Sequence, residues 1–330
     1  MRAPSAQSGA LASMARKAKK DWRVTYYHPG PQRALAMCGG FVEPSRNKAK
    51  NFGEVEMSRA IAVFHGCFGR ATVYQLNRPF NVHAHREGHL IFHLGGSDGS
   101  ITVGDTFCPL NATSFVAVCP WEPHNFIPND LDEGALFLVL YVNPDWFTPD
   151  ASSDTARLRF GRPLTQRSPA IDRQIRHTAA MVYSAQALGK LDRELRGLID
   201  ACYAESWRRP GEASERRVLE GVTDFRVRKS IRLIQEGLGA DLQLDDVARE
   251  SGLSRPHFYK LFRSQTGVTP NLYLNTLLME RAIDVLVKTE KPVADIGFDL
   301  GFSSQSVFTR FFASNVGMAP TDYRRAAHVL

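Results

Sequence analysis

The sequence predicts an α+β protein of several domains: a small N-terminal β-barrel or sandwich, a helical middle segment and an all-α C-terminal domain. Short β-branched and aromatic runs, separated by Gly, Pro and Asn-Asp, recur about every ten residues through the first part of the chain. Beyond residue 170 the apolar residues recur with a helical period. The C-terminal part also contains an internal repeat.

Bulk composition limits the classes of protein that this chain can belong to. The 330 residues are 43% hydrophobic, which is enough for two domains with cores of their own. The net charge of +7 permits a polyanionic partner, but much of the excess lies in residues 1–22, which we predict to be a disordered basic tail. Five scattered cysteines without a C-x-x-C pair fit a reducing cytoplasm, and no apolar stretch is long enough to span a membrane.

The N-terminal domain is predicted to cover residues 23–150. Its strand-like runs are short and end at Gly, Pro or Asn-Asp, as in a small all-β domain. The clearest runs are 71–76, 89–94, 100–105, 113–118 and 135–142. Trp121 and Trp146 are expected to pack in this domain or at its rim.

Residues 170–207 form two amphipathic helical segments separated by Gly189. Their apolar stripes contain Ile175, Met181, Val182, Leu191, Leu195 and Leu198, too many for a solvated connector. We predict a helical dimerisation segment here, with packing against the barrel as the open alternative. Residues 208–217 are charged, contain Pro-Gly and are predicted to be a linker.

The repeat lies in the predicted C-terminal domain, residues 218–330. "LDDVARESGLSRPHFYKLFRSQTGVTP" (244–270) and "VADIGFDLGFSSQSVFTRFFASNVGMAP" (293–320) align at an offset of 49 before their turns and of 50 after them. Each copy predicts a short helix, a Gly turn, a Ser at an N-cap position and a second helix that ends at Gly. Two helices joined by such a turn form the helix-turn-helix motif, whose second helix can enter a DNA major groove.

The second helix of each copy has one apolar and one polar face. The phenylalanines Phe258, Phe262, Phe308 and Phe312 are predicted to face inward. The polar face carries Arg255, His257, Tyr259 and Lys260 in the first copy and Gln305, Ser306, Thr309 and Arg310 in the second. One polar helix face is usually only solvated, but two copies at fixed spacing, with side chains that can read base edges, favour DNA binding.

These residues resemble a known family. The stretch "DIGFDLGFSSQSVFTRFFASNVGMAPTDYR" (295–324), within a match over about residues 225–325, is similar to the AraC/XylS type of bacterial transcription regulator. The resemblance implies a cytoplasmic regulator, more often an activator, whose partners are a double-stranded DNA operator and RNA polymerase. It also implies a long helix over 270–287 that joins the two units. DNA contacts are then expected from Arg255, Tyr259, Lys260, Gln305, Ser306, Thr309 and Arg310.

The N-terminal domain resembles a cupin barrel. "HAHREGHLIFHLGG" (83–96) is similar to the first cupin motif, with His89 in place of the usual Glu, and "PWEPHNFIPND" (120–130) to the second. The resemblance implies that His83, His85, His89 and His124 share one site. They either line a small-molecule effector pocket, which we favour, or hold a divalent transition metal such as zinc, nickel, copper or ferrous iron. No resident cofactor is expected.

The predicted fold is therefore an N-terminal cupin-like β-barrel, a helical linker and dimerisation segment, and a C-terminal all-α double helix-turn-helix domain. The predicted function is a homodimeric, sequence-specific DNA-binding transcription regulator that responds to a small-molecule effector and is not an enzyme. The alternative is a metal-dependent cupin enzyme with an accessory helical DNA-binding domain. Motifs for phosphate transfer, the hydrolase elbow and metalloproteases are absent from the sequence.

Overall fold

The structure, a computed structural model, describes residues 58–132, 134–148, 158–185, 188–208, 222–239 and 242–329. The predicted basic tail (1–22) and the predicted linker (208–217, apart from residue 208) lie outside the described residues. Within the described ranges, no helix is both long enough and apolar enough to cross a membrane.

Two sheets face each other in the N-terminal domain. The larger has the strand order β10-β7-β4-β9-β2-β1-β11 and the smaller the order β3-β8-β5-β6. The strands are β1 (Arg59–Gly66), β2 (Gly69–Leu76), β3 (Phe80–His83), β4 (Gly88–Gly96), β5 (Gly99–Val103), β6 (Thr106–Leu110), β7 (Ser114–Val118), β8 (His124–Pro128), β9 (Ala135–Val142), β10 (Leu164–Gln166) and β11 (Ala327–Val329). The five strands predicted from the sequence are confirmed as β2, β4, β5, β7 and β9.

Strand β9 shows why its sequence, "ALFLVLYV", is apolar throughout instead of alternating. Every one of its residues is buried, because both faces of the larger sheet are covered. Alternate side chains such as Leu138 and Leu140 join a core on the outer face, and Phe137 and Val139 join a core between the two sheets.

The outer face of the larger sheet is covered by two helices, α2 (Pro169–Ser184) and α3 (Leu188–Ser206), which follow the short helix α1 (Pro144–Phe147). Their apolar stripes pack into the same core as the sheet: Ile175, Val182, Leu191, Leu195 and Leu198 are fully buried and Met181 is 8% exposed. The open alternative, packing against the barrel, is thus the observed use of these residues. A dimer through this segment would have to use the outward faces of the helices.

The C-terminal domain is all-α. Its helices are α4 (Phe225–Glu236), α5 (Leu244–Glu250), α6 (Arg255–Thr266), α7 (Pro270–Lys288), α8 (Val293–Asp299), α9 (Gln305–Val316) and α10 (Pro320–Ala326). The pairs α5–α6 and α8–α9 are the two predicted helix-turn-helix units, and α7 is the predicted joining helix. Both α6 and α9 end at a glycine in the left-handed conformation, Gly267 and Gly317.

The two domains share one continuous hydrophobic core, which the sequence did not predict. The core between the sheets continues into Leu286 on α7 and Phe308 and Phe312 on α9. After α10, strand β11 runs parallel to β1, with Val63 opposite Ala327 and His65 opposite Val329. The segment that follows the second helix-turn-helix unit is therefore part of the barrel's larger sheet.

Candidate functional site

The face of α6 predicted to read DNA is accessible. Phe258 and Phe262 are fully buried beneath the helix, whereas Arg255 and Lys260 are exposed and Tyr259 is half-buried. Nη1 of Arg255 lies 2.8 Å from Oδ2 of Asp245 on α5, and its guanidinium lies 5.7 Å from the ring centroid of Tyr259. Arg255 is therefore paired with an acidic residue of α5, whereas Lys260 forms no ion pair among the described residues.

Helix α9 presents a matching face. Gln305, Ser306 and Arg310 are exposed and Thr309 is half-buried, while Phe308 and Phe312 are fully buried. The side-chain oxygen of Ser304 caps the helix by accepting a hydrogen bond from the Val307 amide at 3.3 Å. In the first unit Ser254 occupies the N-cap position with extended backbone but makes no side-chain capping bond. Both units thus place polar side chains outward on a helix anchored by buried phenylalanines.

The four histidines predicted to share a site do come together, in the barrel at the ends of β3, β4 and β8. The His83 and His124 ring centroids are 4.3 Å apart and those of His89 and His124 are 4.4 Å apart. The His85 centroid lies 4.9 Å from His83 and 5.3 Å from His89. One nitrogen each of His83, His85 and His124 lies within 4.8 Å of the others.

Backbone carbonyls fix the tautomers of two of these rings. Nδ1 of His83 donates to the carbonyl of Asn81 at 2.7 Å, and Nδ1 of His124 donates to the carbonyl of Glu122 at 2.8 Å. When Nδ1 carries the proton of a neutral imidazole, Nε2 keeps its lone pair. Carbonyl-bound Nδ1 is the arrangement that orients histidine ligands in metal sites.

Burial favours the neutral form of the four imidazoles, and several of their nitrogens have no hydrogen-bond partner among the described residues. Burial lowers the pKa of all four imidazoles, that of His83 to about 4, with the neighbouring rings and Arg70 adding to the shift at His85. Nε2 of His85, Nε2 of His124 and both ring nitrogens of His89 are buried without a hydrogen-bond partner among the described residues. Such atoms each cost about 1–3 kcal/mol unless a ligand satisfies them.

The space beside the cluster is small. Its cavity has a volume of about 40 Å³ and is lined by His83, His89, His124, Phe80 and Tyr141, among other residues. Ligand pockets for small organic molecules typically occupy about 300–1,000 Å³. The cavity instead suits an ion or a few waters, and four neutral imidazoles are a donor set that late transition metals accept. The residues therefore fit a divalent metal.

A polar chain that the sequence did not predict leads from the cluster to α10, the helix after the second helix-turn-helix unit. The Tyr141 ring centroid lies 5.2 Å from that of His85 and 5.1 Å from that of His89. The Arg70 guanidinium lies 3.6 Å from the Tyr141 ring centroid and donates from Nη1 to the Tyr323 hydroxyl of α10 at 2.9 Å. Arg70 is only 5% exposed, so these contacts stabilise a buried charge.

The loops that carry the histidines also contact the joining helix α7. The Ala84 carbonyl accepts a hydrogen bond from the Thr276 hydroxyl at 3.1 Å, and Nε of Arg86 lies 2.5 Å from Oε2 of Glu280. Trp121, predicted to be a packing or rim residue of the barrel, lies in the turn before β8 and stacks on Tyr273 with centroids 4.8 Å apart and an interplanar angle of 11°. Its partner lies in the other domain, which no local pattern could indicate.

Comparison with known proteins agrees with the assignment of the C-terminal domain. A family model described as a helix-turn-helix domain matches residues 247–326. The regulatory protein SoxS of Escherichia coli K12 is 36% identical over 94 residues, which are 28% of this chain and 88% of SoxS. The regulatory protein PocR of Salmonella typhimurium is 32% identical over 118 residues, which are 35% of this chain but only 39% of PocR.

Solved structures also align with the chain. ToxT from Vibrio cholerae O395 aligns over 82% of this chain and 96% of its own, with 14% identity and a TM-score of 0.49. A regulator with an AraC-type DNA-binding domain from Chromobacterium violaceum aligns over 30% of this chain and 89% of its own, with 28% identity and a TM-score of 0.29. On the match to SoxS and the duplicated helix-turn-helix, the chain belongs to the AraC/XylS family of DNA-binding transcription regulators.

Proposed function

We propose that this protein binds a specific double-stranded operator with both α6 and α9 and that an effector held at the histidine cluster changes that binding. The observation that carries the proposal is the duplicated motif, in which two outward polar helix faces are joined by α7. Contacts to DNA are assigned to Arg255, Tyr259, Lys260, Gln305, Ser306, Thr309 and Arg310. Each side chain type in this set can contact bases or phosphates.

The proposed role of the barrel is effector binding and not catalysis. The cavity beside the cluster is about 40 Å³, which leaves no room for an organic substrate next to a metal ion. The direct contacts between the histidine-bearing loops and α7 favour a regulatory site.

We further propose that the protein is a homodimer that recruits RNA polymerase and activates transcription. The dimer contact is assigned to the outward faces of α2 and α3, where Tyr183 is 40% exposed. Sedimentation of wild type and of Tyr183→Glu at micromolar concentration tests the assignment. A dimer that the substitution weakens agrees with it, and a monomeric wild type contradicts it.

The DNA-binding proposal is tested by selecting sites from a randomised duplex library with the full chain. We expect one sequence, with two contacted regions about one helical turn apart, because the single helix α7 joins the two units. Arg310→Ala and Lys260→Ala should each relax the preference within a different region. Enrichment of no sequence would contradict the proposal.

A further inference from the structure

We propose that the effector is itself a divalent transition-metal ion, bound by His83, His85 and His124, whose nitrogens lie within 4.8 Å of one another, beside the fourth imidazole His89, and sensed by helix α7. This inference rests on the proposed function, since it names the chemical class of the effector and the route by which DNA binding responds.

The chemistry of the site favours a late transition-metal ion. His83, His89 and His124 lie at strand ends and His85 on the loop between β3 and β4. Nε2 of His85, Nε2 of His124 and both nitrogens of His89 have no partner among the described residues. Two rings are held by carbonyls in the tautomer that offers Nε2. Nitrogen donors without a carboxylate suit Co²⁺, Ni²⁺, Cu²⁺ or Zn²⁺ better than Mg²⁺ or Ca²⁺.

A positive charge near the site opposes metal binding. Arg70 is the buried cation that acts on the cluster, and it opposes a bound metal ion. Its guanidinium is already engaged by the Tyr141 ring and the Tyr323 hydroxyl. We therefore expect reversible binding, weaker than in a closed structural zinc site, which is what a sensor requires.

A set of contacts connects the metal site to the DNA-binding domain. The 84–87 loop carries His85, and the 119–123 turn precedes His124. These two segments are tied together by a hydrogen bond from the Trp121 amide to the His85 carbonyl at 2.7 Å. Both contact α7, through Ala84 to Thr276, Arg86 to Glu280 and Trp121 to Tyr273.

The contacted residues of α7 lie three and four positions apart, so they form one face of the helix. Drawing the two loops together around an ion therefore acts on one face of the helix that joins both DNA-reading units. Such a mechanism requires two arrangements of α7 that differ in their affinity for DNA. The ion changes DNA binding only to the extent that it binds these two arrangements with different affinity.

Metal binding is tested on the full chain after dialysis against chelator. Titration with Zn²⁺ by calorimetry and with Co²⁺ by absorbance should give one ion per chain, with a cobalt spectrum typical of nitrogen ligands. His85→Gln and His124→Gln should each weaken binding at least about 10-fold, whereas His177→Gln, an exposed histidine on α2, should not. Wild type that binds no stoichiometric Zn²⁺ or Co²⁺ would overturn the inference.

Folding of the variants is checked independently by thermal unfolding without metal. Zn²⁺ should raise the Tm of wild type and of His177→Gln but not of the ligand variants, because an ion stabilises only the chain that binds it. If a ligand variant is unfolded, the wild-type stoichiometry, cobalt spectrum and Tm shift still decide the question.

The sensing step is tested by DNA affinity for the selected site in Zn²⁺ and in chelator. Wild type should show a difference of at least about 5-fold. The double variant Thr276→Val/Glu280→Gln should bind Zn²⁺ as wild type does but lose most of that difference, and Asn275→Ala, exposed on the same helix, should keep it. Equal affinity in both conditions overturns the inference and leaves the DNA-binding proposal intact, whereas failure to select any site overturns both.

Discussion

Replacing Gly317 with alanine should loosen the contact between the second helix-turn-helix unit and the barrel. Gly317 ends α9 with φ at +85°, and a Cβ there would lie 2.3 Å from Cε1 and 2.5 Å from Cζ of Phe80. The Phe80 ring lines the histidine cavity and packs against Phe126 at 5.4 Å and His83 at 6.2 Å between centroids. The substitution thus presses a DNA-domain helix end against the wall of the histidine cavity.

Two separable costs set the expected loss of stability in Gly317→Ala. The left-handed backbone costs a residue with a Cβ about 1–2 kcal/mol, and overpacking typically costs about 1–3 kcal/mol. We therefore expect Gly317→Ala to lower the free energy of unfolding by about 2–5 kcal/mol. Gly252→Ala is the matched control, since Gly252 has φ at +74° and no heavy atom within 4 Å of the added Cβ. It should cost only the backbone part, about 1–2 kcal/mol.

Equilibrium denaturation of the full chain measures both variants, and a double-mutant cycle with Phe80→Ala isolates the contact. In the Phe80→Ala background, Gly317→Ala should cost no more than Gly252→Ala does in wild type. If Gly317→Ala and Gly252→Ala are equally destabilising in wild type, the steric contact between α9 and β3 is not significant and the reasoning is wrong.

Three further perturbations test other parts of the molecule. Arg310→Ala and Lys260→Ala should each cost about 1–3 kcal/mol on the selected DNA and relax preference at one or two base pairs, as read from library binding. Burial raises the pKa of Glu280 from 4.5 to about 7, so wild-type stability should fall as pH rises through that interval; Glu280→Gln should flatten this slope in denaturation curves. Leu195→Glu places a charge at a fully buried core position and should cost about 3–5 kcal/mol, seen as a lower Tm.

Each of these has a defined contrary result. Unchanged affinity and base preference in both the arginine and the lysine variant would mean that the wrong helix faces are assigned to DNA. An unchanged pH slope in Glu280→Gln would mean that other groups dominate between pH 4.5 and 7. A Leu195→Glu protein that is stable but altered only in oligomeric state would favour the dimer use of this stripe over the core packing seen here.

The features that could be predicted from the sequence are those with a local or repeated signal. The helix-turn-helix units were recognisable because the same Gly, Phe and Pro spacing occurs twice. The histidine cluster was recognisable because three ligands lie within seven residues, His83 to His89, and a fourth in a similar motif. The five apolar runs identified their strands, but β3 (FNVH) and β8 (HNFIP) contain histidine, asparagine and proline, which interrupt the apolar signal.

The stripes on α2 and α3 show the limit of periodicity. An apolar face at helical spacing indicates that something covers it, and it does not indicate what. The spacing of Leu191, Leu195 and Leu198 fits a dimer interface as well as it fits packing against a sheet. Only the position of the larger sheet decides between them.

The contacts that join the two domains lie beyond any local pattern. Arg70 is 253 positions from Tyr323, and an arginine at the start of a strand would ordinarily be read as exposed. Its burial makes sense only when β11 is seen to extend the sheet at β1, because that pairing carries α10 over the barrel. Tyr141 then contacts Arg70 on one side and the histidine rings on the other. Arg70 therefore lies in direct contact with a residue of the histidine site, Tyr141, and with a residue of α10, Tyr323, although the three positions are far apart in the sequence.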